Sequence, residues 1–153
     1  MYQFRGNRQK MLQLRAFHIN ERRDYGSTPS AFGNTANASD RVRETVLVGT
    51  YVFNETWSAS AGHISVKTNS DAVRYLNGSG DSKIKYYEVA YVPFGKQGSW
   101  GAPWANLRLL AAWIKFDKFN GATTDLFGAR FFGGPATAAG DLNSFQLSAN
   151  VAF

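Results

Sequence analysis

Apolar and polar residues alternate strictly over the last nine positions of the chain, Phe145-Gln-Leu-Ser-Ala-Asn-Val-Ala-Phe153. Phe145, Leu147, Ala149, Val151 and Phe153 fall on one side of an extended strand, and Gln146, Ser148, Asn150 and Ala152 on the other. A strand with lipid on one face and water on the other needs this pattern. An amphipathic last strand in a soluble β-sandwich has the same period, although it has less reason to finish on an apolar aromatic.

Similar patterns upstream predict five further strands, at about Lys10–Asn20, Glu44–Asn54, Trp57–Lys67, Lys83–Phe94 and Trp104–Phe116, before the final one at about Asn143–Phe153. In the first, Leu12, Leu14, Ala16 and His18 share a face. In the fourth, Tyr87, Val89 and Tyr91 alternate against Tyr86, Glu88 and Ala90. Two strands depart from clean alternation. Val46, Val48 and Val52 oppose Leu47, Tyr51 and Phe53, and the run Leu109-Leu-Ala-Ala-Trp-Ile114 is apolar on both sides. Such strands suit a sandwich core or a lumen filled by side chains better than a wide aqueous pore.

The predicted connections alternate in length. Long polar segments, Glu21 to Arg43, Thr68 to Ser82 and Asp117 to Leu142, take turns with shorter ones, Asn54-Glu-Thr56 and Gly95 to Pro103. Long loops at one edge and short turns at the other characterise outer-membrane barrels. Phe53, Trp57, Tyr91, Phe94, Trp100, Trp104 and Phe153 would lie near the turn end. Tyr25, Tyr75, Trp113, Phe116 and Phe119 would lie near the loop end. Two aromatic belts a strand length apart fit rings settling at two membrane interfaces. Phe53, Trp57, Tyr91, Trp100, Trp104 and Trp113 are the expected girdle.

Composition agrees with an all-β chain: 15% aromatic residues and 15 glycines, with only 4 prolines, among 153 residues, a length that suits one domain. The absence of cysteine excludes disulfides, thiolate metal sites and CxxCH haem attachment. The mean hydropathy of −0.32 does not decide between lipid and water, because every second residue of a barrel strand faces inward. Met1 to Lys10 is basic and lacks the apolar core of a secretory signal. Single-chain membrane barrels begin at about eight strands, so six predict the C-terminal part of a larger barrel, or one completed by self-association or by Met1–Arg8.

Candidate chemistry is sparse. His18 and His63 lie on different strands without carboxylates at ligand spacing, so no metal site is expected. Thr50, Ser58 and Ser60 have no His/Asp relay, and the glycines of Gly78-Ser-Gly80 and Gly133-Gly134 do not open a helix. No enzyme activity and no cofactor are expected. The 17 basic against 11 acidic residues give a net charge of +6. Positive charge including Arg5, Arg8, Lys10, Arg15, Arg22 and Arg23 would suit nucleic acid, but it is spread over the chain and no recognition motif appears. In a barrel the same charge would bias a lumen toward anions and meet lipopolysaccharide phosphates at the loop bases. Arg15, Glu88, Arg108, Gln146 and Asn150 are the expected lumen lining, and Leu107, Leu109, Trp113, Phe145, Leu147 and Val151 the expected lipid contacts.

Several runs carry a family resemblance: Thr50-Tyr-Val-Phe-Asn-Glu-Thr-Trp57 leading into Ser60-Ala-Gly62, Asn69-Ser-Asp-Ala72 with Tyr75, Val89-Ala-Tyr-Val-Pro-Phe-Gly-Lys96, Trp104-Ala-Asn-Leu-Arg108 and Phe116-Asp-Lys-Phe-Asn-Gly121. In this order they resemble the C-terminal portion of a group of proteobacterial, porin-like outer-membrane β-barrel proteins, some labelled cytochrome-associated. The likeness runs from about Leu12 onward and departs between Gly121 and Leu142. It implies an antiparallel up-and-down transmembrane β-barrel in the outer membrane of a Gram-negative bacterium. It also implies that Phe145, Leu147, Ala149, Val151 and Phe153 form the insertion signal read by the outer-membrane assembly machinery. The competing expectation is a soluble β-sandwich or small barrel that binds an apolar or carbohydrate ligand.

Overall fold

A computed structural model describes residues 2–5, 10–25, 35–54, 56–93, 106–126 and 135–152. They form one antiparallel meander in which each strand pairs with its neighbours in sequence, in the order β1-β2-β3-β4-β5-β6-β7. The strands are β1 (Tyr2–Arg5), β2 (Met11–Asp24), β3 (Ser39–Val52), β4 (Trp57–Thr68), β5 (Ser82–Tyr91), β6 (Asn106–Lys118) and β7 (Ser144–Ala152). A single 3-10 turn, Ala139–Leu142, leads into β7, and no α-helix occurs among the described residues. The sheet is open there: β1 and β7 share no ladder.

The six long strands correspond to the six expected segments. The short β1 is additional, pairing only with the first residues of β2, Tyr2 opposite Leu14 and Arg5 opposite Met11. β2 and β3 also run further than expected, because Glu21, Arg22, Arg23 and Asp24 continue the ladder against Val42, Arg41, Asp40 and Ser39. Backbone pairing tolerates charged side chains where they project freely, so the charged run that reads as loop is strand.

Period-2 alternation and register together assign the two faces. Leu12, Leu14 and Ala16 lie opposite Tyr51, Gly49 and Leu47. Leu47, Gly49 and Tyr51 meet His63, Ala61 and Ala59 on β4. The same face continues through Tyr87, Val89 and Tyr91 to Trp113, Ala111 and Leu109, and ends on Phe145, Leu147 and Ala149. It is the more apolar face of the sheet, and it is uncovered: Leu147 is 72% exposed, Phe145 67% and Leu47 51%.

The opposite, mixed face is the sheltered one. Its Val46, Ala90 and Ala112 are buried, whereas Ala61 and Ala149 on the apolar face are exposed. One residue type sheltered on one side of a single layer and open on the other is what curvature toward the mixed face produces. No second layer covers the apolar face among the described residues.

The tight β3–β4 turn is held by Asn54, whose Oδ1 accepts the backbone N–H groups of Thr56 and Trp57, both at 2.8 Å. A side-chain acceptor for two N–H groups is why Asn suits this position.

Candidate functional site

The mixed face carries a row of polar side chains that crosses the sheet at one height: Gln13, Thr50, Ser60 and Glu88, then Ala112 and Gln146. Thr50 Oγ1 and Ser60 Oγ lie 3.0 Å apart. Arg108 donates from Nη2 to Glu88 Oε1 at 3.1 Å, and the Tyr86 hydroxyl donates to the other carboxylate oxygen. Arg15 shares its row with Val48, Gly62 and Tyr86, and Val48 packs over Gly62, where a β-carbon would lie 3.1 Å from Val48 Cγ2. Asn150 pairs with Arg108 in register. The five residues expected together, Arg15, Glu88, Arg108, Gln146 and Asn150, therefore share one face. Arg108 and Glu88 are brought into direct contact. Tyr86, which the period already puts on the face of Glu88, is not among the residues expected to line it, and its hydroxyl joins the cluster.

This row and its neighbours place two guanidinium groups, the Glu88 carboxylate and several hydroxyl and amide groups on the face toward which the sheet curves. It could attract anions and hydrogen-bond polar solutes. Among the described residues no group of three His, Asp or Glu side chains could hold a metal ion.

The aromatic residues divide less simply than expected. Trp57 stacks on Tyr91 with ring centroids 4.4 Å apart, and Tyr51 meets Phe53 edge-on at 4.9 Å, all near the short turns. The second group on the apolar face is Tyr87, Trp113 and Phe145, on one row, with Tyr87 and Trp113 5.9 Å apart. Tyr25 and Tyr75 do not join it. The Tyr25 hydroxyl donates to Asp40 Oδ2 at 3.1 Å, and Tyr75 packs against Gly80 within the loop. Phe116 pairs with Ile84, on the mixed face. Trp100, Trp104 and Phe153 lie outside the described residues.

At the long-loop end a second cluster ties the connections together. Asp71, buried in the β4–β5 loop, accepts the backbone N–H groups of Val73 and Arg74 at 2.9 and 3.0 Å, and that of Ala36 at 3.2 Å. It also accepts the Thr35 hydroxyl from the β2–β3 loop. Arg74 pairs with Asp40, and Asn37 donates to Ser70 O at 2.9 Å. The Thr35 hydroxyl, ahead of the N–H groups of Arg74, Ala36 and Val73, holds the Asp71 carboxyl below the usual carboxylate range, against the opposing effect of burial.

A depressed folded-state pKa stabilises the loops above the unfolded value, about 3.9, and that contribution is lost as pH falls through the folded value. Limited proteolysis should therefore cut near residues 35–37 and 71–74 faster below about pH 4 than at pH 7. Asp71→Ala should make cutting at these sites fast at both pH values. A protected loop in Asp71→Ala at pH 7 would remove the carboxylate from this role.

No family model matches the chain, and no curated protein or solved structure matches it.

Proposed function

We propose that the chain forms part of the wall of a bacterial outer-membrane β-barrel, a porin-like passive conduit for small solutes with a bias toward anions. The observation that carries this reading is the exposed apolar face. It runs without a charged side chain across β6 and β7, from Leu107 and Val151 up to Trp113 and Phe145, and ends at Lys115. The eight residue steps from Leu107 to Lys115 span about 27 Å of strand, or about 20 Å of height at the tilt of membrane barrels, close to their apolar band. Lipid would meet Leu107, Leu109, Trp113, Phe145, Leu147 and Val151. The mixed face, with Arg15, Glu88, Arg108, Gln146 and Asn150, would line the lumen.

Each unpaired edge N–H or C=O group in lipid costs several kcal/mol, so further strands or a second copy of the sheet must complete this one. β1 covers only Met11 to Leu14 of the β2 edge. A strand continuing β1 beyond Tyr2 would run along Arg15 to Asp24 and satisfy the rest. The assembly machinery and the lipid bilayer are the partners this reading requires.

The test is to fold the purified chain into phosphatidylcholine vesicles whose acyl chains carry bromine. Contact of Trp57 and Trp113 with lipid would quench tryptophan fluorescence, and a closed assembly would migrate differently on gels before and after heating. A soluble monomer with unquenched emission would sink the reading and favour a water-exposed sheet that binds an apolar ligand.

Glu88→Gln removes the one carboxylate of the polar row while leaving both arginines. In planar bilayers it should raise the preference for chloride over potassium, on the order of twofold, read from the reversal potential across a salt gradient. An unchanged potential would place Glu88 off the conduction path.

A further inference from the structure

The register sets four pairs of like charges directly opposite one another on the apolar face, all above its apolar rows at the long-loop end. They are Lys85 with Lys115, Lys83 with Lys118, Arg43 with Lys67, and Arg22 with Arg41. Facing like charges across neighbouring strands destabilise a sheet. Three carboxylates offset part of this. Asp117 Oδ2 lies 2.7 Å from Lys85 Nζ and Asp117 Oδ1 3.8 Å from Lys115 Nζ; Asp81 lies 3.6 Å from Lys118, and Asp24 3.0 Å from Arg22. Lys83, Lys67, Arg43 and Arg41 make no ion pair among the described residues. Eight cations against three carboxylates leave a surplus on one edge of one face. The four pairs sit on successive rungs of this face running toward the loops, a layout that fits an external polyanion.

A second observation narrows the anion. A shallow groove of about 670 Å³ runs along Leu14, Leu47, Gly49 and Tyr87 and ends at His63 and Lys85. Gly49 and Ala61, opposite each other on β3 and β4, form its floor because neither fills the space between the larger side chains. An apolar groove that opens onto a cluster of lysines matches a molecule with an acyl chain at one end and phosphate at the other.

We infer that this end of the sheet docks a lipid that carries more than one phosphate, with its acyl chain in the groove and its phosphates between the Lys85–Lys115 and Lys83–Lys118 pairs. The inference rests on the membrane reading and adds to it a defined lipid site. Lysine ammonium groups reach such phosphates as point charges at the end of flexible stems, so two facing pairs hold two phosphates without a rigid fork. The arginines above them, Arg43 and Arg41, would meet further anionic groups of the same head.

The experiment uses the purified chain folded in phosphatidylcholine vesicles, with bisphosphorylated lipid A, monophosphorylated lipid A or phosphatidylglycerol added as the probe. Binding is read by native mass spectrometry and thermal stability by loss of the heat-sensitive gel band. The comparison variant is Lys83→Gln with Lys115→Gln, which removes one cation from each pair and leaves Asp117 its nearer partner Lys85 and Asp81 its partner Lys118. The wild type should bind bisphosphorylated lipid A more tightly than the other two probes. The variant should lose about thirtyfold of that affinity, as loss of two lysines facing an anionic surface implies.

Stability should cross over: without lipid A the variant should be at least as stable as wild type, because cross-strand repulsion is relieved, and with lipid A the wild type should be the more stable. Equal binding of the three probes, or an unaltered affinity in the variant, overturns the site while leaving the membrane reading standing. Failure to insert into phosphatidylcholine overturns both.

Discussion

Leu147→Arg should lower the folding free energy of this protein in lipid bilayers by about 2–4 kcal/mol, the cost of a basic side chain near the bilayer midplane of a barrel. Leu147 stands on the row with Val89 and Ala111, midway between Val151 and the lysines. In water the same substitution at so exposed a position would change stability by no more than about 0.5 kcal/mol, because nothing covers Leu147. The two environments thus give answers that differ several-fold for one side chain.

Val151→Arg is the internal control. It lies on the same strand and face, two rows nearer the short turns, where the cost should fall to about 0–1 kcal/mol. Urea titrations of the vesicle-folded protein measure both. A small cost at Leu147 would remove the lipid from that face.

Gly121→Val should be the most damaging change in the loops. Gly121 has φ +84°, and a β-carbon there would lie 2.7 Å from the carbonyl oxygen of Ser79 and 3.0 Å from that of Asn77. Both obstacles are backbone, so neither can swing aside. Its own N–H donates to Asp81 O at 2.8 Å, which fixes the β6–β7 loop against the β4–β5 loop. The left-handed backbone costs a residue with a β-carbon about 1–2 kcal/mol, and overpacking adds about 1–3 kcal/mol, for a loss of roughly 2–5 kcal/mol.

Gly78 separates the two causes. Its φ is +77°, yet nothing lies within 4 Å of the position a β-carbon would take, so Gly78→Ala should show the backbone cost alone. Hydrogen exchange of the Asn77 and Ala122 amides would report the loosening locally. Equal effects of Gly78→Ala and Gly121→Ala would show that the contact with Ser79 is not tight.

The strands and their faces were legible in the sequence because side-chain alternation is a local property. Phe145, Leu147, Ala149 and Val151 share a face in any strand, whatever the strand pairs with. The division of Arg15, Glu88, Arg108, Gln146 and Asn150 from Leu109, Trp113 and Leu147 follows from the same period. The tight β3–β4 turn was legible too, from Asn54, but a strict alternation of long and short connections was not: the positions between Tyr91 and Asn106 are as many as those between Asp24 and Ser39 and more than those between Thr68 and Ser82. By contrast β1, at Tyr2–Arg5, is too short to show a period, and the charged ends of β2 and β3 lack an apolar one.

Only the tertiary structure decided what stands beside what. Pairing register depends on residues far apart in the chain, and it alone sets Lys83 against Lys118, through an irregularity between Lys83 and Ile84 that shifts the ladder. Register also brought Arg108 to Glu88 and placed Tyr87, Trp113 and Phe145 on one row. The loop cluster of Asp71, Thr35, Asp40 and Arg74 joins segments more than thirty positions apart, which no local pattern announces. Local sterics and period fix which way each side chain points; the pairing of distant strands fixes its neighbours, and charge and hydrogen bonding act between neighbours.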